Sequence, residues 1–277
     1  MRRFTIAPER LDADRVTFDA DESHHLARVL RLRPGDTVIA TDGAGHDFTV
    51  RLESVGAQAT GSVLRVAARP TESPLALTLV QAIPKGDKME AIVRAATELG
   101  VARVIPAIAE RTIIRLEASR WRERARRWQR VAKEAAKQSG RGVIPEVELP
   151  RPLADTLALA ASVDVALCVW EGEAQPLAAA LAALPDTPRT AGLLIGPEGG
   201  LARAEVDAAR AAGWRVAGLG HRILRTETAG PAVIAILQSR FGDVGTVQDG
   251  GPDMAPRPPT LGSAPAKPGR SSGNVAE

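Results

Sequence analysis

Apolar and polar positions along the chain follow two different rhythms, and the change between them divides it. Up to residue 68 the apolar residues come in short, β-branched runs: Arg15-Val16-Thr17-Phe18, Thr37-Val38-Ile39-Ala40, Phe48-Thr49-Val50-Arg51-Leu52 and Ser62-Val63-Leu64-Arg65-Val66. Turn signals such as Pro34-Gly35-Asp36 and Asp42-Gly43-Ala44-Gly45 separate them, which is the pattern of short strands. One helix is expected over 22–32. Residues 1–70 therefore read as a small β-barrel.

Past a Pro-containing linker, 69–74, strand and helix patterns alternate. Strands are expected over 75–83, 103–108 and 163–170, and helices over 87–99, 119–138 and 175–184. Two further units follow. In each, an apolar run (191–195, then 214–219) leads through a glycine-rich turn into a helical pattern. Such alternation predicts an α/β domain over 75–243, a mostly parallel sheet with helices on both faces. The last helix is expected over 230–241, with Pro231 in its first turn, where its missing N–H is tolerated. Residues 244–277 are rich in Pro, Gly and Ser, poor in large apolar residues, and expected to be a disordered tail.

Composition narrows the class. The chain has 277 residues, 44% hydrophobic and 25% charged, as in soluble globular proteins. No apolar run reaches the ~18 residues of a membrane span. The basic start, Met1-Arg2-Arg3-Phe4, leads into no apolar segment, so no signal peptide is expected and the cytoplasm is the expected compartment. A single cysteine, Cys168, rules out an internal disulfide and a cysteine-rich metal site; in its apolar run it reads as a core residue. His24 and His25 would point about 100° apart on a helix, and His46 and His221 have no Cys or His neighbours at ligand spacing, so no metal site is expected. Aromatics are only 3%, with no tyrosine, which argues against a sheet that stacks RNA bases on aromatic rings.

Net charge is +3 but unevenly placed, and the pI is near 9.5. On the helix at 119–138, Trp121, Ala125, Trp128, Ala132 and Ala135 form an apolar stripe. Arg122, Arg126, Arg130, Lys133 and Lys137 recur on another face, joined by Arg124, Arg127 and Arg141 and offset only by Glu123 and Glu134. Arg2, Arg3, Arg28, Arg31 and Arg33 add positive charge in the amino-terminal segment. A solvated face and a phosphate-binding ridge are the two readings, and the sparse acidic offset favours the ridge.

Candidate chemistry concentrates in the two glycine turns, Gly196-Pro197-Glu198-Gly199-Gly200 and Gly220-His221-Arg222-Ile223-Leu224-Arg225-Thr226-Glu227. Either they are plain strand-to-helix turns, or their backbone amides and carbonyls line a pocket at the carboxyl ends of parallel strands. Neither is a GxGxxG or a P-loop. Arg225-Thr226-Glu227 is either a structural ion pair or a reactive cluster. Lys85-Gly86-Asp87-Lys88 reads locally as a helix start capped by Asp87.

Taken together, the two turns resemble the cofactor loops of SPOUT methyltransferases. The closer resemblance is to the ribosomal RNA small subunit methyltransferase E family. It is supported in order by His24-His25-Leu26 with Val29-Leu30-Arg31, Pro84-Lys85-Gly86-Asp87-Lys88-Met89-Glu90, Thr97-Glu98-Leu99-Gly100-Val101 and Glu134-Ala135-Ala136-Lys137-Gln138-Ser139-Gly140-Arg141. The resemblance implies a PUA-like RNA-binding barrel followed by a trefoil-knotted domain, a homodimer, and methylation of N3 of a uridine in 16S ribosomal RNA. It implies S-adenosylmethionine held by Leu194, Gly196, Glu198, Gly199, Gly200, Leu219, Gly220, Ile223, Leu224 and Thr226. It makes the segment at Lys85 part of the methyltransferase core. RNA contacts are expected from Arg2, Arg3, Arg28, Arg31, Arg122, Arg126, Arg130, Lys133, Lys137 and Arg141.

Uracil N3 carries a proton and is a poor nucleophile until that proton leaves. Arg225 is therefore expected to stabilise the anion, with Glu198 or Glu227 as base or orienter. No metal is needed, because the sulfonium brings its own leaving group. Two departures stand out: Ala202 replaces a hydroxyl residue that would cap the next helix, and Gly230-Pro231 continues the second motif. An apolar stripe on the last helix, Val233, Ile236 and Leu237, suits either core or a dimer interface. Alternatives are a ribose 2′-O target, a small-molecule substrate, and a non-catalytic assembly factor, which would bind RNA without the cofactor.

Overall fold

The computed structural model describes residues 2–12, 14–68, 72–114, 116–184 and 187–246. The expected tail lies almost wholly outside the described residues, as does half of the linker. The amino-terminal part is a six-stranded sheet of β1 (Arg3–Thr5), β2 (Leu11–Asp12), β3 (Arg15–Thr17), β4 (Thr37–Thr41), β5 (His46–Ser54) and β6 (Thr60–Ala68). Their order is β1-β4-β5-β6-β3-β2, antiparallel except for the parallel pair β1–β4. Alternation does the sorting: along β5, Phe48, Val50 and Leu52 face a core that also holds Phe4, Phe18 and Leu26. Strands β1 and β2 are too short to leave an alternating signal, and the sequence reading misses them.

The inserted helix, α1 (Ala20–His24), starts two residues earlier than expected and runs into a π-helical turn, His25–Val29. Asp19 caps it by accepting a hydrogen bond from the Glu22 amide at 2.7 Å.

The carboxyl-terminal part is a sheet of β7 (Ala76–Ala82), β8 (Val101–Ile108), β9 (Glu146–Val147), β10 (Arg151–Pro152), β11 (Val165–Val169), β12 (Gln175–Pro176), β13 (Thr190–Ile195) and β14 (Arg215–Gly218). Its order is β10-β8-β7-β13-β11-β14-β12, with β9 also on β8, and every pairing is parallel. The expectation of a mostly parallel sheet is met. Successive residues point to opposite faces. Leu77, Leu79, Leu193 and Ile195 join a core with α2 (Lys88–Glu98), α3 (Ala118–Ser139), α4 (Leu177–Ala182) and α6 (Thr226–Phe241). Val80, Cys168 and Leu194 join a second core with α5 (Arg203–Ala211) and a 3-10 segment, Leu153–Ser162. Helices thus cover both faces, as a parallel sheet requires.

The stripe read on α3 is the buried one: Trp121, Ala125, Trp128, Ala132 and Ala135. Gly140, at φ +78°, ends that helix in a conformation only glycine adopts freely. Three expectations need correcting. The segment 175–184 begins as strand β12, because Gln175 and Pro176 pair with β14. The last helix begins at Thr226, so Pro231 lies in its second turn and cannot donate to the Glu227 carbonyl four residues back. Asp87 makes no side-chain cap on α2.

The two sheets belong to one compact unit. Lys137 on α3 places its ammonium 2.9 Å from Glu22 and over the Phe4 ring. Backbone bonds from Gly45 to the Gly142 carbonyl and from Ile144 to the Gly43 carbonyl add to the junction, both at 3.1 Å. Arg141 is buried there, bonded to Glu72 and to the carbonyls of Thr97 and Val101. Its guanidinium is committed internally, to the linker and the carboxyl-terminal part, and it lies outside the exposed basic ridge. Among the described residues no helix is long and apolar enough to cross a membrane.

Candidate active site

Strands β13, β11 and β14 lie side by side, and their carboxyl ends open into three consecutive loops. These loops enclose a cavity of about 840 Å³, within the ~300–1,000 Å³ typical of small-ligand pockets. Two are the glycine turns read from the sequence. The third, from Trp170 to Ala174 after β11, carried no glycine-rich signature and was missed. Gly200 (φ +68°) and Gly220 (φ +100°) have backbones that suit glycine. A side chain at Gly200 would also strike the Glu171 carboxylate of the third loop.

One internal hydrogen-bond chain ties the loops to the sheet. The Thr226 hydroxyl donates to the Gly196 carbonyl at 2.7 Å, and Gln81 Nε2 on β7 donates to that hydroxyl at 3.0 Å and to the Ala82 carbonyl at 2.9 Å. Thr226, expected to touch a cofactor, is therefore a buried strut between the first turn and α6. Gln81, a polar residue in an apolar strand, was the sequence signal for that strut and went unread. Arg111 donates to the Gly199 carbonyl at 2.6 Å and supports the first turn from outside.

Of the expected cofactor contacts, Gly196, Glu198, Gly200, Leu219, Gly220, Ile223, Leu224 and Thr226 line the cavity. Leu194 and Gly199 do not. Leu194 points into the core shared with α5, and the next residue, Ile195, faces the cavity instead. An added Cβ at Gly199 would meet the Arg111 side chain.

Charged groups gather at the cavity wall. Lys88, at the start of α2, sits 3.0 Å from Glu198 Oε1 and 3.3 Å from Glu227 Oε2. The Glu198 carboxylate also accepts the Lys85 amide at 3.1 and 3.2 Å. Partial burial pushes Glu198 up. The hydrogen bonds from its own amide, Lys88 and Lys85 outweigh that and hold it below the usual carboxylate range. The hydrogen bond to Glu198 raises Lys88, with Glu227 adding to it. Arg225 stands 4.0 Å from Glu227 Oε1, with its side chain 83% exposed. The contact is long and the guanidinium lies in solvent rather than packed against the loop.

The positive face divides in two. Arg122, Arg126 and Arg130 are exposed on α3 and make no ion pair among the described residues; Arg2, Arg28, Arg31 and Arg33 are exposed on the amino-terminal part. Arg28 borders a second cavity of about 540 Å³ beside His24. Four other cations are committed internally: Arg3 to Asp47 at 3.1 Å, Lys133 to Asp19 at 3.8 Å, Lys137 to Glu22, and Arg127 to Glu90 at 2.7 Å. Ala202 lacks a capping side chain, yet Glu205 accepts its amide at 2.9 Å and the Glu110 amide at 2.8 Å, so the start of α5 keeps half of its cap. On α6, Val233 and Leu237 are buried while Ile236 is 44% exposed.

Known proteins share this arrangement. A family model described as an RNA methyltransferase domain matches residues 71–238, and one described as an RNA methyltransferase PUA domain matches 18–59. Fold and site thus define the class: an RNA methyltransferase domain preceded by a PUA domain. The ribosomal RNA small subunit methyltransferase E of Synechocystis is 34% identical over 84% of this chain and 76% of its own. That of Bacillus subtilis is 33% identical over 79% of this chain and 87% of its own. The chain belongs to the ribosomal RNA small subunit methyltransferase E family. Its solved relatives include the Neisseria gonorrhoeae enzyme bound to S-adenosylmethionine (TM-score 0.78, 34% identity, 88% of this chain and 99% of that one). A Legionella pneumophila methyltransferase with the same bound cofactor has a TM-score of 0.79 at 29% identity, covering 87% of this chain and 98% of that one.

Proposed function

We propose that this protein transfers a methyl group from S-adenosylmethionine to N3 of a uridine in the 16S RNA of the small ribosomal subunit. One observation carries the reading: a cavity of cofactor size, built on two glycine turns, has Arg225, Glu198 and Lys88 at its wall, with Glu227 paired to Lys88 beside it. The residues fit the cofactor. Glycine backbone at residues 196, 200 and 220 lets an adenosine group approach the chain closely, Leu219 and Leu224 supply apolar contact, and Glu171 suits a ligand bearing ammonium and sulfonium charges. Bound there, the cofactor supplies a methyl group on positively charged sulfur, which departs as a neutral thioether with the bonding pair.

The remaining work falls to the chain. The exposed Arg225 guanidinium donates two hydrogen bonds to the uracil oxygens, where the negative charge of the deprotonated ring develops. Glu198 has its lone pairs engaged by amides and Lys88, which suits an anchor. Glu227, between Arg225 and Lys88, accepts the N3 proton. The exposed arginines of α3 and of the amino-terminal part hold phosphates on either side of the target, and Ile236 offers an apolar face for a homodimer.

The test is methyl transfer from radiolabelled S-adenosylmethionine to small ribosomal subunits lacking their native uridine methylation, with nucleosides resolved by mass spectrometry. N3-methyluridine is expected. A 2′-O-methyl nucleoside overturns the base specificity. No product, together with no cofactor binding by calorimetry, overturns the activity.

A further inference from the structure

Lys88 is the first residue of α2, at the end of the helix where the backbone dipole is positive and local helix chemistry favours an acid. Its side chain does not turn back to serve its own helix. It reaches to both glycine-turn segments, to Glu198 after β13 and to Glu227 in the first turn of α6, and it borders the cavity. A cation held against its helix dipole, joining two carboxylates from separate segments at a ligand cavity, breaks a local rule for a gain outside the helix.

From this geometry we infer that Lys88 is a positioning residue for methyl transfer, fixing the Glu198–Glu227 pair and balancing their charge so that the uracil ring can lose its N3 proton. The inference rests on the uridine-N3 reading above. The balance can be counted. Glu198 and Glu227 carry two negative charges, and Lys88 and Arg225 carry two positive ones. When the ring's N–H bond breaks and the proton passes to the Glu227 carboxylate, the ring becomes an anion next to Arg225. Its lone pair then forms the new N–C bond as the C–S bond breaks. With Lys88 made neutral, the ring anion forms beside a site with one negative charge too many.

Other charged groups face Lys88 without replacing it. On its own helix and the turn before it, Lys85 gives Glu198 its amide, while Asp87 and Glu90 turn to Arg127 of α3. On the first glycine turn, Arg111 bonds the Gly199 carbonyl rather than a carboxylate. Across the cavity, Glu171, His221 and Arg222 line the far loops.

The test compares Lys88→Met and Lys88→Arg in the full-length protein. Single-turnover formation of N3-methyluridine on small ribosomal subunits is followed against pH, with S-adenosylmethionine affinity measured by calorimetry and folding by thermal melting. Lys88→Met should bind the cofactor within about threefold of wild type while its rate at neutral pH falls about 10²–10³-fold. Its pH profile should move about 1–2 units to the alkaline side. Lys88→Arg should restore most of the rate and the profile. If Lys88→Met loses rate equally at every pH, or loses cofactor binding in parallel, Lys88 is merely structural and the inference fails. If Lys88→Met does not fold, the profile of Lys88→Gln decides in the same way. A wild-type product other than N3-methyluridine overturns the underlying reading, and this inference with it. N3-methyluridine from wild type with an unshifted variant profile overturns the inference alone.

Discussion

Replacing Thr226 by valine isolates the strut that joins the two glycine turns. Valine has nearly the volume and branching of threonine, so no cavity opens and the change is confined to the hydroxyl. That hydroxyl is spent entirely inside the protein, donating to the Gly196 carbonyl at 2.7 Å and accepting from Gln81 Nε2 at 3.0 Å. Gln81 retains the Ala82 carbonyl at 2.9 Å, so its loss is partial. The partly buried Gly196 carbonyl keeps only the long contact from Gln81 Nε2 at 3.5 Å, and an under-satisfied acceptor costs about 1–3 kcal/mol. Taking about 2 kcal/mol, and roughly 2–4 °C per kcal/mol for a chain of this size, Thr226→Val should melt about 4–8 °C below wild type. The first turn, no longer tied to α6, should also hold S-adenosylmethionine about tenfold more weakly, the equivalent of about 1.4 kcal/mol. Thr226→Ser keeps the hydroxyl and should stay close to wild type in both respects. Calorimetric melting with and without cofactor, together with titration calorimetry, reads both quantities. If Thr226→Val melts with wild type and binds the cofactor equally well, the strut does not hold the loops.

Other expectations follow from single features. Arg126→Glu with Arg130→Glu should weaken binding to 16S RNA and make the plot of log affinity against log salt shallower by about 0.9 for each phosphate no longer neutralised; an unchanged slope returns that face to solvent. Glu198 is held below its ordinary value of 4.5, so it contributes stability that is present above that value and lost as pH falls through the folded-state value; chemical denaturation of Glu198→Gln should show a flatter acid limb below about pH 4.5, and a limb identical to wild type removes that carboxylate from the account. Burial pushes the Cys168 thiol up to about 12, so the native protein should resist iodoacetamide at pH 8 and react only on unfolding; labelling of the folded protein contradicts the packing of β11.

Much of the fold was legible in the sequence because its signals are local and repeated. The apolar stripe of α3 and the strand–turn–helix units around 196–200 and 219–229 needed nothing beyond periodicity and glycine. The errors arise where tertiary contact decides. Leu194 and Ile195 are equally apolar, and only the phase of β13 says which one meets the cavity. Arg141 and Lys137 carry the same charge as Arg126, but Glu22 of the amino-terminal part takes Lys137, and Glu72 with the carbonyls of Thr97 and Val101 takes Arg141. The Trp170–Ala174 loop has an ordinary composition and becomes part of the site because β11 lies between β13 and β14. Lys88 stood inside a motif that was read, yet its role depends on two carboxylates more than 100 residues away in the chain, at Glu198 and Glu227.

Arg225 makes a comparable sacrifice, which gives a test of opposite sign for stability and activity. It occupies the N-cap of α6 with extended backbone (φ −63°, ψ 151°) and contributes no side-chain cap, at a position where serine, threonine or aspartate would bond the free amides of the first turn. Arg225→Ser supplies that missing acceptor, worth about 1 kcal/mol. What it removes from the folded state is a 4.0 Å contact to Glu227 by a side chain that is 83% exposed, and such surface pairs contribute about 0–1 kcal/mol. The variant should therefore melt at or a few degrees above wild type, bind S-adenosylmethionine normally, and transfer methyl groups about 10²–10³-fold more slowly. Melting and single-turnover rates on the same preparation separate the two roles. A variant that loses stability along with activity would mean that Arg225 serves the loop, and the arginine would then be structural despite its exposure.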